Sequence, residues 1–243
     1  MSVLNILFVG SDEVARSIAK KSDSRDVDNY IYKDLKEGGL FSTISILRPN
    51  NYPDKPKPFF TSLTVSDFGI IEINKVDGVF GEVIVSMASA GIKEGLVILN
   101  ASEGEWVDDS QVKALLQQAG LSNWEFIEND GILIREKLIE VLNQIKPNED
   151  EGFVVAVDQA FTVKGVGLVA IGHVQSGKVN KHDDLILAGS EGNAIARSLQ
   201  VMDLDVDVAN VGDRVGLAMR TAGSFREDLL GKGSILADSN ERF

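Results

Sequence analysis

The 243-residue chain contains no cysteine, and it has only two histidines and five prolines. The lack of cysteine excludes disulfides, thiolate metal sites and cysteine nucleophiles. No apolar run approaches the ~20 residues that a membrane-spanning helix requires. The N-terminal residues carry no basic segment before the first apolar stretch. We therefore expect no signal peptide and a cytoplasmic protein.

Basic residues are also scarce: 24 Lys and Arg stand against 37 Asp and Glu, for a formal net charge of −13. Residues 1–147 carry 15 basic and 22 acidic residues, and residues 148–243 carry 9 and 15. Neither half is therefore a basic platform, and long-range attraction to phosphate backbones is unfavourable. A local basic cluster that contacts RNA remains compatible with this composition.

The first half alternates between short apolar runs and helical periodicity. The apolar runs are residues 5–9, 43–47, 68–73, 95–99 and 124–127, and the helical patterns cover residues 81–90, 108–120 and 132–145. This alternation predicts an α/β domain with a mostly parallel sheet and helices on both faces.

Two segments interrupt these patterns. Pro49, Pro53, Pro56 and Pro58 crowd one stretch, for which we predict an extended surface loop because proline opposes regular helix. The polar and charged residues 146–151 follow the longest helical pattern, so we place a domain boundary there, between domains at 1–147 and 152–238.

Beyond this boundary the pattern changes to short strands punctuated by glycine. Residues 154–157, 167–171, 184–187 and 215–219 have strand character, and helical periodicity disappears. Closely spaced strands with turn residues between them predict an all-β domain, best closed as a barrel that leaves no exposed edge.

One run of the second half carries a family resemblance. The sequence from Ala160 to Val179, with Gln200 and the turn Gly212-Asp213-Arg214, resembles the second-domain β-barrel of translational GTPases. That family includes elongation factor Tu and SelB, and Gly91 to Gly95 is most similar to the archaeal SelB-like branch. The resemblance implies a GTPase-like (G) domain in residues 1–147 followed by a translation-factor domain 2 β-barrel, without the family's third domain.

The run from Gly10 to Ser17 has the frame of a phosphate-binding loop, whose backbone N–H groups cradle phosphates while a lysine contacts them. Gly10 and Ser17 are kept, but Ala15 replaces the second glycine and Arg16 replaces the lysine. Ala15 adds a methyl group where backbone and phosphate approach closely. Arg16 has a planar fork rather than a point charge. We predict that a helix continues from here through Ile18 to Lys21.

The family's other nucleotide motifs are changed as well. By the resemblance, Arg48 stands in place of the aspartate that holds magnesium, and Asn51 and Tyr52 stand in place of a glycine and the catalytic histidine. In the base-recognition motif Asn100 is kept and Glu103 replaces the aspartate. A cation in place of the magnesium ligand removes the metal anchor of phosphoryl transfer.

Other candidate site residues lie in the second half. The resemblance implies that Phe161, Lys164 and Gly165 lie where the family's barrel faces RNA, so these residues form a candidate face for RNA or a protein partner. Burial of Phe161 in the core is the simpler interpretation, with stacking on RNA as the alternative. For His173 and His182 we expect structural or surface roles.

We therefore expect a translation protein that binds the ribosome, a tRNA or another translation factor without hydrolysing GTP. It would have no catalytic residues, no cofactor and no metal. The nucleotide-site remnants are Gly10, Ala15, Arg16, Ser17, Arg48, Asn100 and Glu103. The alternative is a divergent GTP-binding elongation factor in which Arg16 or Arg48 supplies the missing charge. A third possibility is an assembly partner without RNA contact.

Overall fold

The computed structural model describes residues 3–35, 41–101, 106–144 and 152–239. It divides the chain into two compact units, residues 1–145 and 146–243. Each unit has its own hydrophobic core. In the part of the chain that is described, no helix is long and apolar enough to cross a membrane.

The first unit alternates strands and helices. Its elements are β1 (Val3–Val9), α1 (Asp12–Ile18), β2 (Lys20–Ser24), β3 (Val27–Leu35), β4 (Phe41–Pro49), α2 (Pro56–Leu63), β5 (Phe68–Ile73), α3 (Gly78–Ser89), β6 (Gly95–Leu99), α4 (Asp109–Gln118), β7 (Glu125–Ile127) and α5 (Gly131–Gln144).

These strands form one sheet in the order β2-β3-β4-β1-β5-β6-β7. The five strands from β4 to β7 run parallel, and β2 and β3 are added antiparallel at one edge. One face packs against α1 and α5, and the other packs against α2, α3 and α4. The predicted fold class of this half is therefore confirmed. The carboxyl ends of β1, β5 and β6 meet at one edge, where open α/β sheets bind their ligands.

Two local predictions were wrong. The helix predicted through Lys21 ends at Ile18, and the alternating polar residues Lys20–Ser24 form strand β2 instead. The proline-rich stretch is not an extended loop throughout, because Pro56 and Pro58 lie in the first turn of α2. Proline is tolerated there, since the N–H groups of a first helical turn have no intrahelical partner.

The described part of the second unit, residues 152–239, is all β apart from one 3-10 turn at Glu227–Leu229. Its strands are β8 (Phe153–Val163), β9 (Gly167–Asn180), β10 (Asp184–Leu187), β11 (Asn193–Val201), β12 (Leu204–Val206), β13 (Val208–Asn210), β14 (Arg214–Ala222) and β15 (Ile235–Asp238).

These strands pair in the order β10-β15-β8-β9-β14-β11-β12, and β10 also pairs with β11. All the pairings are antiparallel. The extra pairing closes six strands into a ring around an apolar core, which confirms the predicted β-barrel. Closure removes the unpaired edges that an open sheet would expose.

Candidate functional site

Helix α1 starts too early for a phosphate-binding loop. The loop frame covers Gly10 to Ser17, but α1 begins at Asp12, with Ser11 as its N-cap. The Val14 N–H donates to the Ser11 hydroxyl over 3.3 Å, and the Ala15 N–H donates to the Ser11 carbonyl over 3.3 Å. A phosphate cradle needs such N–H groups to converge on the ligand, and here they are used within the helix.

The Ser11 N–H has a carboxylate partner. Ser11 N–H donates to Glu72 Oε2 over 2.5 Å. The other carboxylate oxygen, Oε1, accepts from the Asn100 side-chain amide over 2.6 Å. Glu72 lies in β5 and is buried, so it brings a negative charge to the place where the family motif would receive a phosphate. Two hydrogen bonds to the carboxylate offset part of its desolvation.

Gly10 is closely packed against the side chains of Phe8 and Glu72. A Cβ atom at Gly10 would lie 2.6 Å from the Phe8 ring and 2.7 Å from Glu72. The space beside the loop frame is therefore occupied by the protein's own side chains. Position 10 requires glycine because any larger side chain would collide with Phe8 and Glu72.

Arg48 lies where the sequence placed it, at the end of β4. Its Nε donates to the Gly10 carbonyl over 2.7 Å, and its Nη1 lies 3.3 Å from Asp28 and 3.0 Å from the Asn50 side-chain oxygen. The guanidinium therefore bridges β4, β3 and the turn after β1. It serves as a structural donor to oxygen atoms of the chain, and a cation in this position repels magnesium.

Asp28 belongs to a cluster of charges beside this turn. Lys21 lies 2.8 Å from Asp28 and 3.1 Å from Asp12. Arg16 forms an ion pair with Asp12, and the Tyr30 hydroxyl donates to Asp12. Asp12, one of two acidic residues in the loop frame, is therefore paired with Arg16, Lys21 and Tyr30 of the first unit.

These contacts shift several pKa values. Hydrogen bonds from Tyr30 and then Arg16 hold the pKa of Asp12 far below its usual range. Burial opposes ionisation of Asp28, but the hydrogen bond from Lys21 and its other donors outweigh burial and lower its pKa. Burial, followed by the hydrogen bond to Asp12, raises the pKa of Tyr30 to about 12. The cluster is thus ionised as opposite charges that neutralise one another at neutral pH.

The seven predicted nucleotide-site residues do not all meet. Gly10, Arg48 and Asn100 are brought together around Glu72. Ala15 is buried in the core on α1, whereas Arg16 is on the helix surface. The Ser17 hydroxyl donates to the Val14 carbonyl over 2.7 Å, within the helix. Glu103 lies outside the described residues.

Sequence reasoning missed Glu72, which is central to this arrangement. A signal for it was present, because Glu72 is the one charged residue in the apolar run Phe68–Ile73. A charge inside a buried parallel strand requires partners. Asp28 and Tyr30 were missed because they lie in the polar edge hairpin β2–β3, which was not predicted.

The barrel residues fall into two groups. Phe161 is 42% exposed, so the prediction that it belongs to the core was wrong. Lys164 and Gly165 lie beside it in the exposed turn between β8 and β9. By contrast, His173 is buried, as expected for a structural role, and both ring nitrogens lack a hydrogen-bond partner among the described residues. Burial, and then the positive charge of Arg214, lowers the pKa of His173 to about 4 despite the nearby Asp158 carboxylate.

Among the described residues, no group of three or more His, Asp or Glu side chains is arranged to hold an ion. At this edge of the sheet the Ser11 N–H is bonded to the Glu72 carboxylate, and Arg48 stands at the position of the family's metal ligand. This donor set does not fit a magnesium-bound nucleotide phosphate.

Comparisons with known proteins agree on the relatives of this chain. No protein-family model matches it. It is 32% identical over 233 residues to the uncharacterized protein MJ0325 of Methanocaldococcus jannaschii, and the match covers 96% of this chain and 71% of that protein. It is also 32% identical over 137 residues to the selenocysteine-specific elongation factor of Escherichia coli, covering 54% of this chain and 22% of that protein.

Solved structures show the same fold. The translation elongation factor SelB of Methanococcus maripaludis, in complex with the GTP analogue GppNHp, matches with a TM-score of 0.75 at 19% identity. That match covers 99% of this chain and 56% of the other. A bacterial selenocysteine-specific elongation factor, EF-Sec, matches with a TM-score of 0.75 at 17% identity, covering 97% and 45%. The chain therefore spans about half the length of these solved structures.

Proposed function

The chain belongs to the family of SelB-like translation factors, and we propose that it works in translation as a binding protein that does not hydrolyse GTP. Its partner would be the ribosome, a tRNA or another translation factor. The observation that carries this proposal is the contact of Glu72 with Ser11 and Asn100. A carboxylate fixed at the start of α1 would repel a bound phosphate, because like charges at close range are strongly unfavourable.

Three further features support the absence of hydrolysis. The Ala15 N–H donates to the Ser11 carbonyl within α1, and the Val14 N–H donates to the Ser11 hydroxyl that caps the helix, so both groups already have acceptors. Arg48 stands at the metal-ligand position and bonds to the Gly10 carbonyl. The Tyr52 ring packs on Phe59 with 4.3 Å between ring centroids, so it is engaged with an aromatic neighbour on α2. Each feature removes a different element of phosphoryl-transfer chemistry.

The barrel supports the binding part of the proposal. It is a complete closed barrel, and the turn at Lys164 and Gly165 is exposed beside Phe161. An exposed aromatic side chain next to a cation is a combination that binds either a nucleotide base or a protein surface. We propose that these three residues belong to the partner-binding face.

Calorimetric titration with GTP and with GDP, with and without magnesium, tests the nucleotide part of the proposal. We expect no binding at millimolar nucleotide. A double variant, Ala15→Gly with Arg16→Lys, restores two family residues and serves as the matched control. This variant should also show no binding of GTP or GDP, because Glu72 and the early start of α1 remain. Micromolar binding by the unmodified chain would establish the GTP-binding alternative instead.

The translation part is tested separately, in the native cell. A tagged chain is followed through a sucrose gradient with the ribosomes, and the RNA and proteins bound to it after affinity purification are identified. Ribosomal subunits, tRNA or a translation factor are the expected partners. If the chain is missing from every ribosomal fraction and none of these partners is recovered, the proposed role in translation is lost.

A further inference from the structure

The barrel carries a groove of about 840 Å³ that the former nucleotide site does not involve. Its apolar lining includes Leu168, Ile195 and Met219, and its charged lining includes Arg197 and Arg220. The groove lies on β9, β11 and β14, beside the β8–β9 turn. Its size is within the range of ligand-binding clefts, and the lining combines apolar surface with a small number of polar groups.

The two arginines lie on neighbouring strands of the sheet, and neither forms an ion pair with another described residue. Arg220 lies opposite Ile195 in the β11–β14 ladder, and Arg197 follows two residues further along β11. Arg197 Nη1 donates to the Val166 carbonyl over 3.2 Å. Among the described residues, neither guanidinium forms an ion pair. Within the same unit, Arg214 and Arg226 do pair with carboxylates.

Unpaired guanidinium groups in a chain of net charge −13 are unusual, because carboxylates are abundant here. Arginine presents a planar fork of N–H donors that matches a carboxylate in two parallel hydrogen bonds. The adjacent apolar lining matches an aliphatic side chain, which releases water when it is buried. Together they fit an extended segment in which acidic and aliphatic residues alternate.

We propose that this groove binds an acidic, aliphatic peptide segment of a partner protein. The proposal rests on the proposed function, since it names the chemistry of one partner of a binding protein. RNA suits the groove less well. The groove carries only two arginines together with the carboxylate of Glu227, whereas RNA binding depends on neutralising many phosphates. The apolar lining would also have little to contact in a ribose-phosphate backbone.

Fluorescence anisotropy with the full chain tests this proposal. The probe is a fluorescein-labelled peptide of alternating Glu and Leu, with a Lys-Leu peptide and a ten-nucleotide single-stranded RNA as comparison probes. The test variant is Arg197→Gln with Arg220→Gln, two exposed positions, and circular dichroism verifies its fold. The matched control is Lys178→Gln with Lys232→Gln, which removes two exposed cations of the same unit that do not line the groove.

We expect the Glu-Leu peptide to bind and the groove variant to weaken it by about tenfold or more, as the loss of two charge-assisted contacts requires. The control variant should bind it like the unmodified chain. Equal loss in both variants would reduce the effect to net charge and overturn the proposal. The proposal would also be overturned if the RNA bound through the two arginines while the Glu-Leu peptide did not bind. It would equally be overturned if neither the Glu-Leu peptide nor the RNA bound. Ribosome association in the gradient experiment would survive any of these three results, so the proposed function is judged separately.

Discussion

At the scale of single residues, the proposal depends most on a buried carboxylate. Glu72 accepts hydrogen bonds from Ser11 N–H and from the Asn100 amide, and its position in β5 leaves it little contact with water. The charge is tolerated because both carboxylate oxygens accept hydrogen bonds. When the carboxylate is removed, the two donors are left without an acceptor, which lowers the stability of the fold.

Replacing Glu72 by Ala should therefore destabilise the first unit by about 1–3 kcal/mol, because two partly buried donors lose their acceptor. Glu72→Gln should cost less, since its amide oxygen can still accept from one of the donors. Urea unfolding measures both values. The control is Glu125→Gln, which removes a surface ion pair with Lys137. We expect it to change the free energy of unfolding by no more than about 0.5 kcal/mol. A Glu72→Ala protein as stable as the unmodified chain would show that these hydrogen bonds contribute nothing.

His173 makes a second residue-level prediction, on pH. Its folded-state pKa of about 4 lies below the unfolded value of about 6.5, so the unfolded chain binds more protons between these values. Stability should therefore fall by up to about 3 kcal/mol as the pH decreases from 6.5 toward 4. In His173→Gln this part of the pH dependence should be absent, as measured by urea unfolding at pH 7 and pH 5.

The control for this experiment is His182→Asn, because asparagine tolerates the positive φ of 77° at that turn. This variant keeps His173 and should therefore keep the pH dependence attributed to it. A pH dependence that is identical in the His173→Gln protein would assign the effect to other groups.

At the scale of elements, the position of α1 is fixed from both ends. Ser11 caps its start, and Arg135 on α5 donates to the carbonyls of Ser17 and Ile18 at its end, over 2.9 and 2.7 Å. Gly131, the first residue of α5, packs directly against the Ser17 backbone. The helix that replaces the loop frame is thus held by tertiary contacts with α5, beyond its own short sequence.

Two glycine variants should separate packing from helix propensity. Gly131→Ala places a methyl group against the Ser17 backbone and should destabilise the fold by about 1–3 kcal/mol. Gly81→Ala in α3 meets open space and should stabilise it by about 0.5–1 kcal/mol, since glycine costs entropy in a helix. Thermal and urea unfolding provide the measurement. Equal effects of the same sign would refute the close contact between α1 and α5.

These elements also show what sequence patterns predict and where they stop. Strands β5 and β6 were found within a few residues because burial on both faces makes them continuous apolar runs, and helix α5 was found because burial on one face imposes a helical periodicity. Strand β2 was missed because the edge of a sheet needs no apolar pattern. Phe161 was assigned to the core because aromatic residues are usually buried, and only the barrel's closure placed it outside.

At the scale of the whole molecule, the described chain contains two units with separate cores. The barrel core draws only on residues of the second unit, and the two cores flanking the parallel sheet draw only on the first. A unit that contains its whole core carries the main driving force for its own folding. We propose that the domain boundary lies after residue 147, close to the division between the units at residues 145 and 146.

Fragments 1–147 and 148–243, expressed separately, should therefore each fold. We expect a mixed helix and strand circular dichroism spectrum from the first fragment and a strand spectrum from the second, each with a cooperative unfolding transition. Calorimetry of the full chain serves as the reference. Fragments that stay unfolded alone, while the full chain melts in a single transition, would reject the boundary.

The sequence by itself determined the classes of structure and the family. Glycine spacing in the second half, and the alternation of strand and helix in the first, are local patterns that depend on backbone geometry and burial. It also identified Ala15, Arg16 and Arg48 as positions that differ from the nucleotide motifs of the family. Only the tertiary structure decided which side chains contact those positions. The contact of Glu72 with Ser11 joins residues far apart in the chain, and its energy depends on a geometry that no local pattern records.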